Sequence, residues 1–354
     1  MTGGQAIEAR TIVEGFATDA DVRVEMQPID PRIPAWIARL RGVRTVVRMP
    51  FFLVGLTRRI LRSDVLHVCT AAYGPFILTT TPAILLGRLL GRPVILNYRD
   101  GRAPDHLRSR WVRWMLSRAT VLVFPSGFLH DIFRGFGLGG EVVSNVVHTD
   151  RFRFRHRDPV RPVLISSRLL ETLYAVGNTI RAFALVRREV PDARLIVIGG
   201  GHEEGMLREM VSRDGIEGVE FHGRVDHDEV AVWFDRADVF VNSSREDNMP
   251  HSIIEAYSAG LPVVSTNAGG IPYIVEHGRN GLLVEPDRPE QLAAEVLRVL
   301  REPGLAQRLI EEGARDCDRL YSWSAARAGW RDLYSRLAGA RVPVPSSPAE
   351  VVAR

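Results

Sequence analysis

Short apolar runs rich in β-branched residues recur along the chain, separated by longer stretches in which apolar residues return every three or four positions. In the first half the runs are Val22–Met26, Val65–Cys69, Val94–Tyr98 and Val121–Phe124. In the second half they are Val163–Ser167, Leu195–Gly199, Val219–Phe221, Val239–Asn242, Pro262–Thr266 and Leu282–Val284. Runs this short and this apolar predict buried strands, and the period between them predicts helices. Strand–helix–strand order at this spacing predicts parallel sheets with crossover helices, built twice. Periodicity stops at Phe152–Pro162, where Arg, His and Pro cluster, and the stretch Arg341–Arg354 is rich in Pro, Ser and Ala. The pattern predicts a first domain over residues 1–155, a second over 156–335 and a loose tail over 336–354. Two doubly wound domains would set their strand carboxyl ends, and so their binding loops, on opposite walls of a cleft.

Composition narrows the chemistry. The 354 residues are 45% hydrophobic and 25% charged, with mean hydropathy −0.02, which excludes a disordered chain, a collagen-like repeat and a disulfide mini-scaffold. All 46 basic residues are arginine. That removes a Schiff-base lysine, a pyridoxal-phosphate anchor and a P-loop lysine together. Residues 1–155 hold 22 Arg against 12 Asp and Glu, a balance of +10, whereas residues 156–354 hold 24 against 30, a balance of −6. Such asymmetry predicts domains with different partners, the first facing something anionic. Cys69 and Cys317 lie far apart and form no metal-ligand spacing. Apolar runs such as Pro50–Leu56 and Phe76–Leu86 are too short, or too broken by Thr and Pro, to cross a bilayer. With no secretory pattern at the start, a reducing cytosol is the expected compartment.

The most informative segment is Ser243–Val264, reading SSREDNMPHSIIEAYSAGLPVV. A buried strand ends in a polar loop, and a helix starts near Pro250 and stops at Gly260. The helix N-terminus, reached through Asn248, Met249, Pro250 and His251, presents backbone N–H donors at the positive end of a helix dipole, a seat for phosphate. Two carboxylates, Asp247 and Glu255, flank that seat eight residues apart. On spacing alone, Asp247 could equally cap the helix while Glu255 points to solvent.

This segment resembles glycosyltransferase family 4, retaining enzymes of the GT-B fold, in which E-x7-E is followed by A-x-A-x-G-x-P-V-V. Here stand Asp247-x7-Glu255, then Ala256, Gly260, Pro262, Val263 and Val264. Asn267–Pro272, Asn280–Pro286, Phe221–Val225 and Tyr321–Trp323 continue the resemblance in order, strongly from Val163 to Tyr334 and weakly in the first half. The resemblance implies a metal-independent transferase that moves a sugar from a nucleotide-diphosphate donor to a glycan or lipid-linked acceptor, with no cofactor. It implies that Glu255 accepts hydrogen bonds from the ribose hydroxyls, that Asp247 contacts the donor sugar, and that backbone near Gly223 and Val225 holds the base. Asp247 is one methylene shorter than the family's glutamate. Arg168 matches the arginine of the family motif G-R-L-x3-K-G, which grips the diphosphate. The motif's lysine is gone, and counting places Leu173 or Tyr174 there.

In the first half, Gly3 and Gly4 match an early Gly-Gly loop that approaches donor phosphate and acceptor. Arg99 stands where the family has a histidine, and the next histidine is His106. Arginine does not deprotonate in proteins, so Arg99 would be an electrostatic or acceptor contact and not a base. The family's Gly-Gly loop follows a hydrophobic strand, whereas here only Met1 and Thr2 precede Gly3. The expectation is a GT-B fold whose N-terminal domain lacks its first strand, and a chain that begins too late.

Other features carry competing readings. Asp226-His227-Asp228 matches a metal-binding D-x-D, but Asp226 with Glu229 also makes a capping box. Gly199-Gly200-Gly201 lacks dinucleotide-loop spacing and predicts a tight turn. Arg32–Arg62 contains eight arginines and no acidic residue, interleaved with Trp36, Phe51 and Phe52. It fits either an anionic membrane face, peripheral to the cytoplasmic side, or a helical segment packed in the first domain; nucleic acid would need a motif that is absent. A GT-B nucleotide-sugar epimerase and a non-catalytic nucleotide-sugar-binding relic stand beside transfer as alternatives.

Overall fold

Strands form where the buried apolar runs fall. The computed structural model describes residues 4–27, 29, 43–70, 72–144, 149–226 and 229–339. Its strands are β1 (Leu66–Thr70), β2 (Val94–Tyr98), β3 (Val121–Phe124), β4 (Glu141–Val142), β5 (Val163–Ser167), β6 (Arg194–Ile198), β7 (Val219–Gly223), β8 (Val239–Asn242), β9 (Val263–Thr266) and β10 (Leu282–Val284). β1–β4 make one parallel sheet in that order, and the other, also parallel, runs β10-β9-β8-β5-β6-β7. The central strands of the second sheet are buried on both faces. Leu164, Val197, Val239 and Val241 pack on one side and Ile165, Ile196, Ile198 and Phe240 on the other. That is why these strands read as continuous apolar runs without alternation. Each such side chain contributes about 1.5–3 kcal/mol by leaving water.

Val22–Met26 departs from expectation. Its residues alternate between exposed and half-buried, yet no strand forms there. Asp19 Oδ1 accepts the N–H groups of Asp21 and Val22 at 2.9 and 3.0 Å, turning the chain just before it. A strand needs a ladder partner as well as a period, and no strand precedes β1 among the described residues.

The chain divides into two units, Met1–Val146 with Ala326–Arg354, and Val147–Ala325. The division falls at 146/147 rather than at the expected 155/156, and the helix Trp323–Ala338 returns to the first unit from Ala326. The return has a physical cause. His67 of β1 stacks on Trp330 at 4.5 Å and hydrogen-bonds the Tyr334 hydroxyl at 2.8 Å, while Arg327 pairs with Asp19 at 2.6 Å. Burial, with Arg99 nearby, lowers the His67 pKa to about 3, so the ring is neutral at this contact. The expected linker is instead tied into the second unit. Arg155 and Arg161 hydrogen-bond the fully buried Asp238 at 2.5 and 2.8 Å, and Arg157 donates to the carbonyls of Phe234, Ala237 and Gly260. Of the expected tail, residues to Ala338 are helical and 340–354 lie outside the described residues. In the basic stretch, Val43–Arg62 is one helix, while 30–42, including Trp36, lie outside the described residues.

Candidate functional site

In the second sheet, β5 continues to β6 and β7 on one side, while β8 continues to β9 and β10 on the other. Connections that leave in opposite directions open a crevice outside the carboxyl ends of the two central strands, the usual ligand position in such sheets. Arg168 follows β5 and Asp247 lies in the loop after β8, so the two residues meet at that point. The Arg168 guanidinium pairs with the Asp247 carboxylate, donates to Ser252 Oγ at 3.2 Å, and lies 4.1 Å from the centre of the Tyr174 ring. Its Nε–H is buried without a partner. Such a donor costs about 1–3 kcal/mol unless something accepts from it.

Backbone packing holds Arg168 in place. Its N–H donates to the Ile198 carbonyl at 3.1 Å, and Gly199 follows with φ +133°. A Cβ at Gly199 would overlap the Arg168 carbonyl oxygen, so the glycine serves close approach and not a dinucleotide. The expected tight turn does not fall on the three glycines: it follows at His202 and Glu203, where the Glu204 N–H donates to the Gly201 carbonyl at 3.3 Å.

Asp247 accepts backbone N–H groups from Asn248 and Met249, in addition to Arg168. Burial nonetheless raises its carboxyl above the ordinary value. Its own carbonyl accepts the Gly270 N–H at 2.7 Å, and Gly269, at φ +56°, has no room for a Cβ against that backbone. The helix His251–Ser258 begins after Pro250, which occupies the cap position without a side-chain cap bond. Ser252 through Tyr257 are all buried. Glu255 is 6% exposed, so the reading that sends it to solvent is overturned. Burial pushes its carboxyl up to about 7, with the Arg168 charge pulling the other way.

The remaining expected residues fall around this centre or away from it. Gly223 ends β7 at φ +65°, and its carbonyl accepts the Gly199 N–H at 2.8 Å, so it is coupled through Gly199 to Arg168. Val225 packs against the core beneath β8 and the helix His251–Ser258. The expected capping box is corrected: the helix starts at Val230, and the Glu229 N–H donates to the Asp226 carbonyl, not to its side chain, at 2.9 Å. His227 and Asp228 lie outside the described residues, among which no group of three potential metal ligands forms.

Arg99, His106 and Gly4 belong to the other unit. Arg99 directly follows β2. His106 is buried, bonds the Tyr98 hydroxyl at 2.9 Å, and accepts the Tyr73 N–H at 3.4 Å. Burial lowers its pKa, so a neutral ring positions Tyr73. Gly4 opens the helix Gly4–Gly15, and Gly3 lies outside the described residues.

Sequence reasoning missed Ser252, a polar residue within a buried run that carried no signal of its own. It also missed that Tyr174, one of the two residues counted to the lysine position, covers Arg168 with an aromatic face. Arg245, in the same loop as Asp247, binds Asp287 at 2.9 Å and the Thr172 carbonyl at 3.1 Å.

Comparison with known proteins follows this geometry. Residues 161–302 match the family described as Glycosyl transferases group 1. The chain is 27% identical over 312 residues to a glycogen synthase of Mycobacterium tuberculosis, covering 82% of this chain and 73% of the relative. It is 28% identical over 334 residues to the GDP-mannose-dependent alpha-(1-6)-phosphatidylinositol monomannoside mannosyltransferase of the same species, covering 85% and 84%. Among solved structures, Anabaena HepE in complex with UDP and glucose aligns at TM-score 0.71 and 17% identity, covering 95% of this chain and 96% of that one. Sucrose-phosphate synthase from Thermosynechococcus elongatus aligns at TM-score 0.70 and 19% identity, covering 95% and 94%. At these identities the structures bear on the fold alone, which is GT-B. The sequence match spans the same strands and loops that build the crevice, and over that span the chain is similar to the group 1 glycosyltransferases.

Proposed function

We propose that this chain transfers a sugar from a nucleoside diphosphate donor to a glycan or lipid-linked acceptor, with retention at the anomeric carbon and without a metal ion. The observation that carries this reading is the buried, unpartnered Nε–H of Arg168 at the switch point, next to Asp247 and within electrostatic reach of Glu255. A diphosphate oxygen would satisfy that donor and draw the guanidinium away from Asp247. The freed carboxylate would then accept from hydroxyls of the donor sugar. Glu255 would accept both ribose hydroxyls, which favours its ionised form. Backbone at Gly223 and Val225 would take the base, and the loop Asn248, Met249 and Pro250 would bring the phosphates to the N-terminal end of the helix His251–Ser258.

In the reaction, the bond from the anomeric carbon to the diphosphate oxygen breaks, and a bond to the acceptor oxygen forms on the same face. The acceptor proton passes to the departing β-phosphate oxygen, so no protein base is required. Arg168 stabilises the charge that builds there. Arg99 would act on the acceptor side as a fixed positive charge, His106 as a positioning residue, and Gly3 and Gly4 as contacts near donor phosphate. A lipid-linked acceptor is in keeping with the phosphatidylinositol monomannoside named for one relative, and with the basic stretch Arg39–Arg62, which would meet an anionic membrane surface at the cytoplasmic side.

The test is a panel of nucleotide sugars, following nucleoside diphosphate release with and without acceptor. Acceptor-dependent release supports transfer. An altered sugar nucleotide with no acceptor requirement would make the chain an epimerase, and binding with no turnover of any donor would make it a relic.

A further inference from the structure

The first unit presents an apolar face that nothing described covers. Ile77, Leu78, Leu85 and Leu89, on the helical segments Phe76–Thr80 and Thr81–Leu89, and Trp111 and Trp114, on the helix Arg110–Leu116, are each between 40% and 66% exposed. Leu78, Leu85 and Leu89 share one helical stripe, and Trp111 and Trp114 stand one turn apart. The two stripes are neighbours: the Phe76 and Trp111 rings lie 6.0 Å apart, and Arg88 donates to the Arg118 carbonyl at 3.2 Å. Single exposed leucines are ordinary, but a contiguous group with two tryptophans marks a contact surface.

Charge identifies the partner. Arg88, Arg110 and Arg118 surround the stripes, and Arg118 lies 4.7 Å from the Trp114 ring. No Asp or Glu occurs from Gly74 to Arg99 or from His106 to His130. The helix Val43–Arg62, equally free of acids, packs on Ala83 through Phe52, Leu56 and Ile60, and adds Arg58 and Arg62. Leucine and tryptophan framed by arginine match the boundary between acyl chains and anionic headgroups. A second copy of the same face would set arginines against arginines.

We propose that the face formed by Phe76–Leu89 and Arg110–Leu116 docks on an anionic lipid bilayer. Leu85, Leu89, Trp111 and Trp114 would enter the headgroup–acyl boundary while the arginines meet lipid phosphates. No helix among the described residues is long and apolar enough to cross a membrane, so the contact would be one-sided. This inference deepens the membrane-facing part of the proposed function and rests on it. It shifts the apolar contact from the basic stretch to a different pair of helices.

The test uses the full chain with phosphatidylcholine vesicles that contain or lack phosphatidylglycerol. Co-flotation should require phosphatidylglycerol, and brominated lipids should quench tryptophan fluorescence in wild type but not in the Trp111→Phe/Trp114→Phe double variant. Leu85→Ser with Leu89→Ser should weaken vesicle binding by about tenfold or more. The same variant should keep donor turnover on a water-soluble acceptor, which separates this inference from the transfer reading. Three results would overturn it: wild type ignoring anionic vesicles, Leu85→Ser/Leu89→Ser binding as wild type while Arg58→Gln/Arg62→Gln does not, or a wild-type dimer that the leucine variant abolishes.

Discussion

Glu255 faces two opposed demands. Burial without ligand favours its neutral form, whereas accepting from a ribose diol favours its charged form. With a carboxyl pushed up to about 7, nucleotide affinity should fall as pH drops below about 7, and isothermal calorimetry across that range should show proton release on binding. Glu255→Gln should lose this pH dependence and weaken nucleotide binding by about 1–3 kcal/mol. The same raised value works against folding. Stability linked to Glu255 is fully present below the ordinary carboxylate range and is lost as pH rises through about 7, so the glutamine variant should melt higher than wild type at pH 8. A variant that binds nucleotide as tightly as wild type would remove Glu255 from the site. Arg168 carries the complementary prediction. Arg168→Lys keeps a positive charge for Asp247 but loses the planar fork, so turnover should fall by about tenfold to a hundredfold with little change in Tm. Full turnover in that variant would dissolve the diphosphate assignment. The spacing Asp247-x7-Glu255 was legible in the sequence, but the choice between a buried and a solvated glutamate was not, because burial depends on what packs over the helix.

At the scale of elements, strands such as Val163–Ser167 and Val239–Asn242 were legible because a strand buried on both faces must be apolar throughout. Val22–Met26 misled because alternation records exposure and not pairing. The Asp226–Glu229 box misled because a helix start depends on where the following apolar turn docks, here at Phe234. Gly199, directly after β6, shows the converse, a local sequence whose meaning is long-range. Gly199→Ala would force a side chain into the Arg168 carbonyl at a φ that L residues rarely adopt. It should destabilise the second unit by about 1–3 kcal/mol and weaken nucleotide binding by displacing Arg168. Unfolding curves together with nucleotide titration would check both effects, and an undisturbed affinity would mean that Gly199 does not position the arginine.

For the whole molecule, the order of units along the chain differs from their composition in space, because the final helix packs on β1. Trp330→Ala should cost the first unit about 3–5 kcal/mol and leave nucleotide affinity at Arg168 and Glu255 unchanged. Differential melting with and without nucleotide would resolve the two units. In the second unit, burial raises the Asp238 carboxyl, but the bonds from Arg161 and Arg155 outweigh it and hold the group below its ordinary value. Its contribution is present above the ordinary carboxylate range and lost as pH falls through that depressed value. Asp238→Asn, which leaves Arg157 in the core without its anion, should destabilise the unit by about 3–5 kcal/mol at neutral pH.

By itself the sequence determined the alternation of strands and helices, the doubly wound class and the family resemblance, along with the positions of Arg168 and Asp247 on strand-end loops and of Glu255 on the helix that follows. These follow from periodicity and spacing, which are local along the chain. Only the tertiary structure decided that β5 and β8 are neighbours, so that residues 79 apart share an ion pair. It also decided that Glu255 is buried, that Tyr174 covers Arg168, and that the last helix belongs to the first unit. Strand order and desolvation arise from contacts between distant segments, and a one-dimensional pattern holds no record of which buried face meets which.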